Sequence, residues 1–500
     1  MTASKPVPEP SAAFPAPQPL PPIATLLREF HSGERTPVEL MQHCFETIDR
    51  LDPQINALPT RVAREQALAL AERAGEAIRN GEPVGALAGL SYAAKDMHRT
   101  AGVRTTFGSP IYADHVPDSN DPIVERVLAA GAILIAKSNT PEFAAGSQTF
   151  NPVLGKTLNP YDPRRTVGGS SGGGAAAVAC GMVAVADGSD LAASLRNPAS
   201  FCGVAGLRPS SIANPAMEVS ANGFSSLGTV GAMAPRVADL RWVNRAIHAP
   251  LAPRPLSKWL ESIDREVAAR RTKFDKSAAG TGQRPPRLAW TVDAGGAMPV
   301  SSPVRKAMQR VHERLREAER AGRIELVDAF PDFAGADDCF QVLRGEYFVE
   351  NWGELYRSER SRMKDTVVWN IEQGLALDAE RIAAASVMRS RIFRRTAGFM
   401  RDFDAWLLPT AQVLPFAHEL AYPTEVDGEP LKTYIDWLRS CYWITVSGHP
   451  GLSIPAGFEP DPDDPRSVPL PVGLQLMGRF GEDESLLDVG EFVEGLLAEQ

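Results

Sequence analysis

Between residues 37 and 51 the apolar positions Leu40, Cys44, Ile48 and Leu51 recur every three or four residues, which predicts a helix with one buried stripe. Thr36 precedes it, Pro37 takes its first position, and Glu39 follows three residues after the threonine, the pattern of a capping box. Residues 61–80, rich in Ala, Glu and Arg, predict a second helix. From about residue 85 the period alternates. Short apolar runs at 90–94 and 132–136 predict strands, and 121–130 between them predicts a helix. The small apolar stretch 175–185 predicts a closely packed helix. Further on, helices are predicted at 258–271, 303–321, 378–402 and from about 484, and strands at 288–292 and 406–409, with the stretches 451–455 and 472–477 ahead of the last helix. Strands alternating with helices predict an α/β fold, with a parallel or mixed sheet covered on both faces.

Elsewhere the pattern lapses. Eight of the first 22 residues are proline, which predicts a disordered tail over 1–22 and a fold that begins near residue 23. The stretch 250–290 joins a Pro-rich start, a charged helix and a Gly/Ser/Pro loop, a candidate linker or insertion. Five hundred residues allow three domains or one large one, and 44% hydrophobic residues suffice for a sizeable core. A net charge of −9 argues against a nucleic-acid surface, so no nucleic-acid partner is expected. No run of 18 apolar residues and no charged-then-apolar start predict neither membrane span nor secretory signal. The five cysteines are scattered without a Cys-x-x-Cys pair, so neither disulfides nor a metal is expected and a reducing cytoplasm is the default.

One segment carries candidate chemistry: Gly168-Gly169-Ser170-Ser171-Gly172-Gly173-Gly174, followed by Asp187-Gly188-Ser189-Asp190 and Ser194-Leu195-Arg196-Asn197-Pro198. Clustered glycines let a backbone approach another group closely. A phosphate loop would need Lys-Ser/Thr after the glycines, where alanines stand. A tight structural turn and a serine hydrolase site both remain open. The second needs a base. None of the eight histidines sits in a triad or nucleophile-elbow context. Lys95 and Lys137 each end an apolar run, where an α/β sheet places its site, and pattern does not separate them from each other or from a Lys95–Asp96 surface pair.

The glycine–serine run with its following Asp-x-x-x-Ser-x-Arg-x-Pro resembles the amidase signature family of serine hydrolases. Further stretches occur in that family's order: Ala94-Lys95-Asp96, Lys137 to Phe143, Gly146-Ser147, Asn159 to Asp162, Phe201 to Pro209, and Gly473 to Gly478. The resemblance runs from about residue 25 to the C-terminus. It implies one catalytic domain over 23–500 with a central mixed sheet of about a dozen strands, its core at about 60–210 and 446–500. Residues 210–445 would cap the site.

The resemblance also implies a triad. Ser194 would be the nucleophile, Ser170 would relay the proton beside a cis peptide bond, and Lys95 would be the base. Ser171 would support it and Lys137 would be structural. A lysine becomes a base near neutral pH only if burial lowers its proton affinity. Backbone N–H groups of Leu191, Ala192, Ala193 and Ser194 would form the oxyanion hole. The common family pattern has glycines at 192 and 193; alanine keeps the N–H, resists positive φ and narrows the pocket, which reads as a change of specificity. Asp190 and Arg196 would hold this loop in place, by a buried ion pair or by hydrogen bonds to its backbone. Ala144, Gly146 and Phe150 would border the substrate, and some of Trp352, Tyr356, Trp369, Trp406, Trp437, Tyr442 and Trp443 would face an apolar pocket. The expected activity is cofactor-free hydrolysis of a small apolar or aryl amide, with ester and carbamate side activity, by a monomer or homodimer acting on small molecules. The alternative within the family is the A subunit of a tRNA-dependent amidotransferase. A silent binding protein on the same scaffold would lack Lys95, Ser170 or Ser194, and none is absent.

Overall fold

The structure is a computed structural model that describes residues 16–212, 221–248, 252–274 and 284–499, the side chains of 271–273 excepted. The first helix of the sequence pattern runs Pro37–Ile55 behind the expected cap. Thr36 Oγ1 accepts from the Glu39 N–H at 3.2 Å, and the Glu39 carboxylate accepts from the Thr36 N–H at 2.7 Å. The second helix starts later than expected, at Arg64, because Thr60–Arg61 pairs as a short strand with residues 136 and 137.

Among the described residues, eleven strands form one mixed sheet. In spatial order they are Thr60–Arg61, Ile133–Ser138, Ser91–Lys95, Val185–Asp190, Thr229–Ala234, Ala205–Arg208, Gly451–Glu459, Leu470–Met477, Ala405–Pro409, Arg287–Trp290 and Glu325–Asp328. Ser91–Lys95 runs parallel to both its neighbours, so Lys95, Ser138 and Asp190 end on one edge, the end where such sheets place their sites. Successive residues of a strand turn to opposite layers. A side chain on Gly451 would meet Arg196 beside one face, whereas Leu452 crowds Gly490 of the helix Asp483–Ala498 on the other.

Two expectations are corrected here. The glycine-rich helix spans Gly172–Ala179, not 175–185, and Val185 already belongs to a strand. Glycine is a poor helix former, but a Cβ on Gly173 would stand 2.3 Å from the Asn139 backbone nitrogen, so only glycine lets the helix settle there. The described end of the proline-rich stretch is not a free tail either: Leu20 is buried in the core. Residues 1–15 and the loop 275–283 lie outside the described residues. No helix among the described residues is long and apolar enough to cross a membrane.

Candidate active site

Lys95 ends a strand whose five residues are all buried. Its Nζ donates to three hydroxyls: Ser170 Oγ at 2.7 Å, Ser171 Oγ at 2.9 Å and Ser189 Oγ at 3.0 Å. No carboxylate lies within ion-pair distance of it among the described residues, which removes the alternative of a pair with Asp96. Asp96 instead accepts from Thr106. Burial pulls the Lys95 ammonium down to about 7, against the charges of Asp187 and Asp190, which pull the other way. Below it, Asp187 accepts the Lys95 N–H at 2.6 Å and the Tyr92 hydroxyl at 2.5 Å, and lies 3.0 Å from His98 Nδ1.

Lys137 takes a different course. Its Nζ donates to the His98 carbonyl and to Thr100 Oγ1, away from the serines, and burial pulls it down to about 8.

The glycine–serine loop reaches Lys95 from the far side. The Gly169–Ser170 peptide bond is cis. Ser171 N–H donates to the Ser194 carbonyl at 3.1 Å, which ties this loop to the turn that carries Ser194. Gly188 makes the approach feasible, since a Cβ there would stand 2.6 Å from Ser171 Oγ. Asp190 and Arg196 form a fully buried pair through two bonds of 2.9 Å. Arg196 also donates to the Ala192 carbonyl and to Gln475, and Asp190 accepts the Leu195 N–H. Burial pushes the Asp190 carboxyl up, but the charge and hydrogen bonds of Arg196, the charge of Arg208 and the Leu195 N–H together hold it below its ordinary value.

Between them, residues 191–194 turn into the helix Arg196–Cys202. Ala192 and Ala193 are absent from the residues with positive φ, so this loop makes no demand that alanine cannot meet. The N–H groups of Ala192, Ala193 and Ser194, in the turn that precedes this helix, meet no acceptor among the described residues.

Ser170, Ser189 and Ser194 open on one cavity of about 330 Å³. One wall is apolar and aromatic, formed by Phe107, Phe143, Leu191, Tyr347, Phe348, Trp352, Ile435 and Leu438, while His98, Arg99, Asp121, Arg344 and Asn351 bring polar groups to the rest of the lining. Trp352 stacks on Phe143 with ring centroids 4.1 Å apart. Phe143 and Ala144 both sit at positive φ, 48° and 55°, a conformation that persists only where its surroundings impose it. Here Phe143 N–H donates to the Phe107 carbonyl. Next to it the buried Glu142 carboxylate accepts from Ser109 Oγ at 2.6 Å and from the Lys364 N–H at 2.7 Å.

Of the residues expected to border substrate, Ala144 and Gly146 line this cavity and Phe150 does not. Phe150 lines an adjoining cleft beneath Lys364, whose Nζ stands 4.0 Å above its ring. Of the seven candidate aromatics only Trp352 reaches the cavity; Trp406, Trp437, Tyr442 and Trp443 are core. Sequence reasoning missed Phe107, Phe143, Tyr347, Phe348 and Ser189. Ser189 had a signal, lying between Asp187 and Asp190 at the end of a strand.

The chain belongs to the amidase family, enzymes that hydrolyse carbon–nitrogen bonds: the family's profile, described as Amidase, matches residues 39–487. The A subunit of glutamyl-tRNA(Gln) amidotransferase from Thermosynechococcus vestitus is 31% identical over 93% of this chain and 96% of its own. Its counterpart from Moorella thermoacetica is 33% identical over 88% of this chain and 89% of its own. Among solved structures, a bacterial aryl acylamidase of the amidase signature family superposes with a TM-score of 0.78, at 23% identity over 96% of each chain.

These relatives correct one expectation. They are named as subunits of an enzyme that is itself named for a tRNA, which overturns the assignment to small molecules alone, without nucleic acid, as monomer or homodimer. The net charge misled because it averages over the whole surface, and one component of an assembly need not itself carry its basic face.

Proposed function

We propose that this protein hydrolyses apolar amides through an acyl-enzyme on Ser194. The observation that carries the reading is a buried lysine, with no carboxylate partner among the described residues, bonded to Ser170 on the wall of the cavity that also exposes Ser194. A serine hydroxyl attacks only when a neighbour takes its proton. Ser170 both donates and accepts, so it can pass the Ser194 proton to the Lys95 amine and return it to the leaving nitrogen. Attack forms the Ser194–carbonyl bond, collapse breaks the C–N bond, and water then cleaves the acyl-enzyme. The N–H groups of residues 191–194 would receive the oxyanion, each such donor being worth about 3–4 kcal/mol. In this proposal Asp190, Arg196 and Ser171 position the loop, and residues 210–445 act as a cap on a single catalytic domain.

The substrate reading follows from the wall. One wall of the cavity is aromatic and aliphatic, and the polar groups on the rest of its lining are engaged, Arg99 with Asp121, His98 with Asp187, Asn351 with the Tyr347 carbonyl and Arg344 with Asn370 and Tyr434. That suits an apolar or aryl acyl group. Esters and urethanes would enter the same chemistry, a urethane-derived acyl group losing carbon dioxide after hydrolysis.

A second reading is favoured by the relatives named above: a component of a larger enzyme that releases ammonia from glutamine. The purified protein assayed with matched aryl amides, esters and urethanes, and with L-glutamine, separates the two. Turnover of apolar aryl amides without ammonia release from glutamine is expected. Glutamine hydrolysis with no apolar turnover would overturn the first reading in favour of the second.

A further inference from the structure

Beside the catalytic cavity lies a much smaller cleft of about 30 Å³, and the two share Gly146 and Ser147. That volume holds roughly two water molecules or one planar group of three heavy atoms. Gly146 has no side chain, and Lys364 Nζ stands 3.9 Å from where its Cβ would be, so the ammonium faces the gap between the two spaces. Among the described residues no oxygen acceptor lies within hydrogen-bond reach of this Nζ. The nearby Glu142 carboxylate takes the Lys364 backbone N–H instead. Burial pulls the ammonium down to about 8, against the charges of Glu142 and Asp365.

Three more polar atoms line the cleft with bonding capacity left over. Gln148 is 3% exposed. Its Nε2 donates to the carbonyls of Leu420 and Ala421, which fixes the amide and leaves Oε1 without a donor. Thr366 Oγ1 also lacks a partner. The Tyr434 hydroxyl accepts from Arg344 and Asn370, so what it has left to give is its own hydrogen. Buried polar groups are rarely left unmatched, and each one calls for an explanation. Gln148 Oε1 and Thr366 Oγ1 are the unmatched atoms here, and beside them stand a hydroxyl hydrogen and an ammonium that rests on the Phe150 ring with no oxygen acceptor among the described residues, so the cleft offers both donors and a fixed carbonyl oxygen.

We infer that this cleft is a subsite for a second, uncleaved amide-like group of the substrate, its carbonyl oxygen received by Lys364 and Tyr434 and its N–H by Gln148. The inference rests on the reading of the neighbouring cavity as the acyl site. It makes the substrate difunctional, apolar through its middle and polar at the end that is not cut. A carboxylate would suit the ammonium but would set a second anionic oxygen against Gln148 Oε1. A methyl end would satisfy none of the four atoms.

The test is a series of acyl p-nitroanilides of rising chain length, each made with a methyl, carboxamide or carboxylate far end. At one length the carboxamide should lower KM about tenfold relative to methyl, the worth of one charge-assisted hydrogen bond. Lys364→Met and Gln148→Leu should bring that ratio close to one. The ratio is taken within each variant, so a loss of folded protein cancels, and Lys364→Met decides alone if Gln148→Leu does not fold. The inference is overturned if no length shows the preference, if the preference survives Lys364→Met, or if carboxylate outranks carboxamide. Failure of the underlying reading looks different, since no member would be hydrolysed. The same compounds titrated calorimetrically would then decide the subsite by their Kd ratio, a carboxamide preference lost in Lys364→Met supporting it and no preference overturning it.

Discussion

On the floor of the cavity Lys95 holds the hydroxyls of Ser170, Ser171 and Ser189 at 2.7 to 3.0 Å, and the Asp190–Arg196 pair underlies them with no exposure. Across the cavity, Phe143 and Trp352 meet through ring faces, and Tyr347, Phe348 and Leu438 present only apolar surface and one phenol. The floor is directional and leaves no slack, because each polar atom needs its partner in the low-dielectric interior. The wall is held by area and shape, which tolerate exchange of one apolar side chain for another. The difference teaches where chemistry and selectivity reside: a change to the floor should alter the rate of bond cleavage, and a change to the wall should alter which acyl group is accepted.

The sharpest break would come from Ser194→Ala, for which kcat should fall at least ~10⁴-fold while the folded protein survives; steady-state hydrolysis of the best aryl amide measures it, and retained turnover removes Ser194 from its role. Lys95→Met should cost about 10²- to 10⁴-fold, the usual reach of a general base. It should also abolish a pH limb. Because burial lowers Lys95 to about 7, the free amine forms as pH rises through that value, so wild-type kcat/KM should climb to a plateau above it and decline below. Between about 7 and the ordinary 10.5 the unfolded chain binds the proton that the folded chain does not, so the contribution of this side chain to stability rises with pH across that window.

Arg196→Met leaves the buried Asp190 charge with only the more distant Arg208 guanidinium, at 4.0 Å, and no bidentate partner, and should destabilise the fold by about 3 kcal/mol, read from urea unfolding. Trp352→Ala addresses the wall. It should raise KM for a bulky aryl amide about tenfold, as expected for loss of a buried aromatic contact, and should hardly move kcat for an acetyl anilide. Equal effects on both substrates would erase the distinction between floor and wall.

The two regions also differed in how far they could be read from the residues. The glycines and serines of 168–174 and 187–194 are dense because loops must touch there, as Gly188 against Ser171 makes plain. The pattern of residues therefore marks where the floor lies. Lys95 and Lys137 were inseparable in one dimension, since both follow apolar runs on adjacent parallel strands. What parts them is the neighbour each Nζ meets, serines for one and the His98 carbonyl with Thr100 for the other. The wall was poorly legible. Trp352, Trp406 and Trp443 look alike at helix or strand spacing, yet only the first faces the cavity, because packing of whole elements decides which stripe turns inward. Likewise the strands Ala205–Arg208 and Thr229–Ala234 went unread, the first being only four residues long and both carrying glycine and alanine in place of branched side chains.

The order of strands has a consequence for how such a chain is made. Gly451–Glu459 and Leu470–Met477, almost the last segments to be synthesised, lie in the middle of the sheet, between Ala205–Arg208 on one side and Ala405–Pro409 on the other. Until they leave the ribosome, the nascent protein carries two open edges of apolar strand, the kind of surface that pairs with other chains. Synthesis halted near residue 445 should therefore yield two half-sheets that need a chaperone, and not a smaller enzyme.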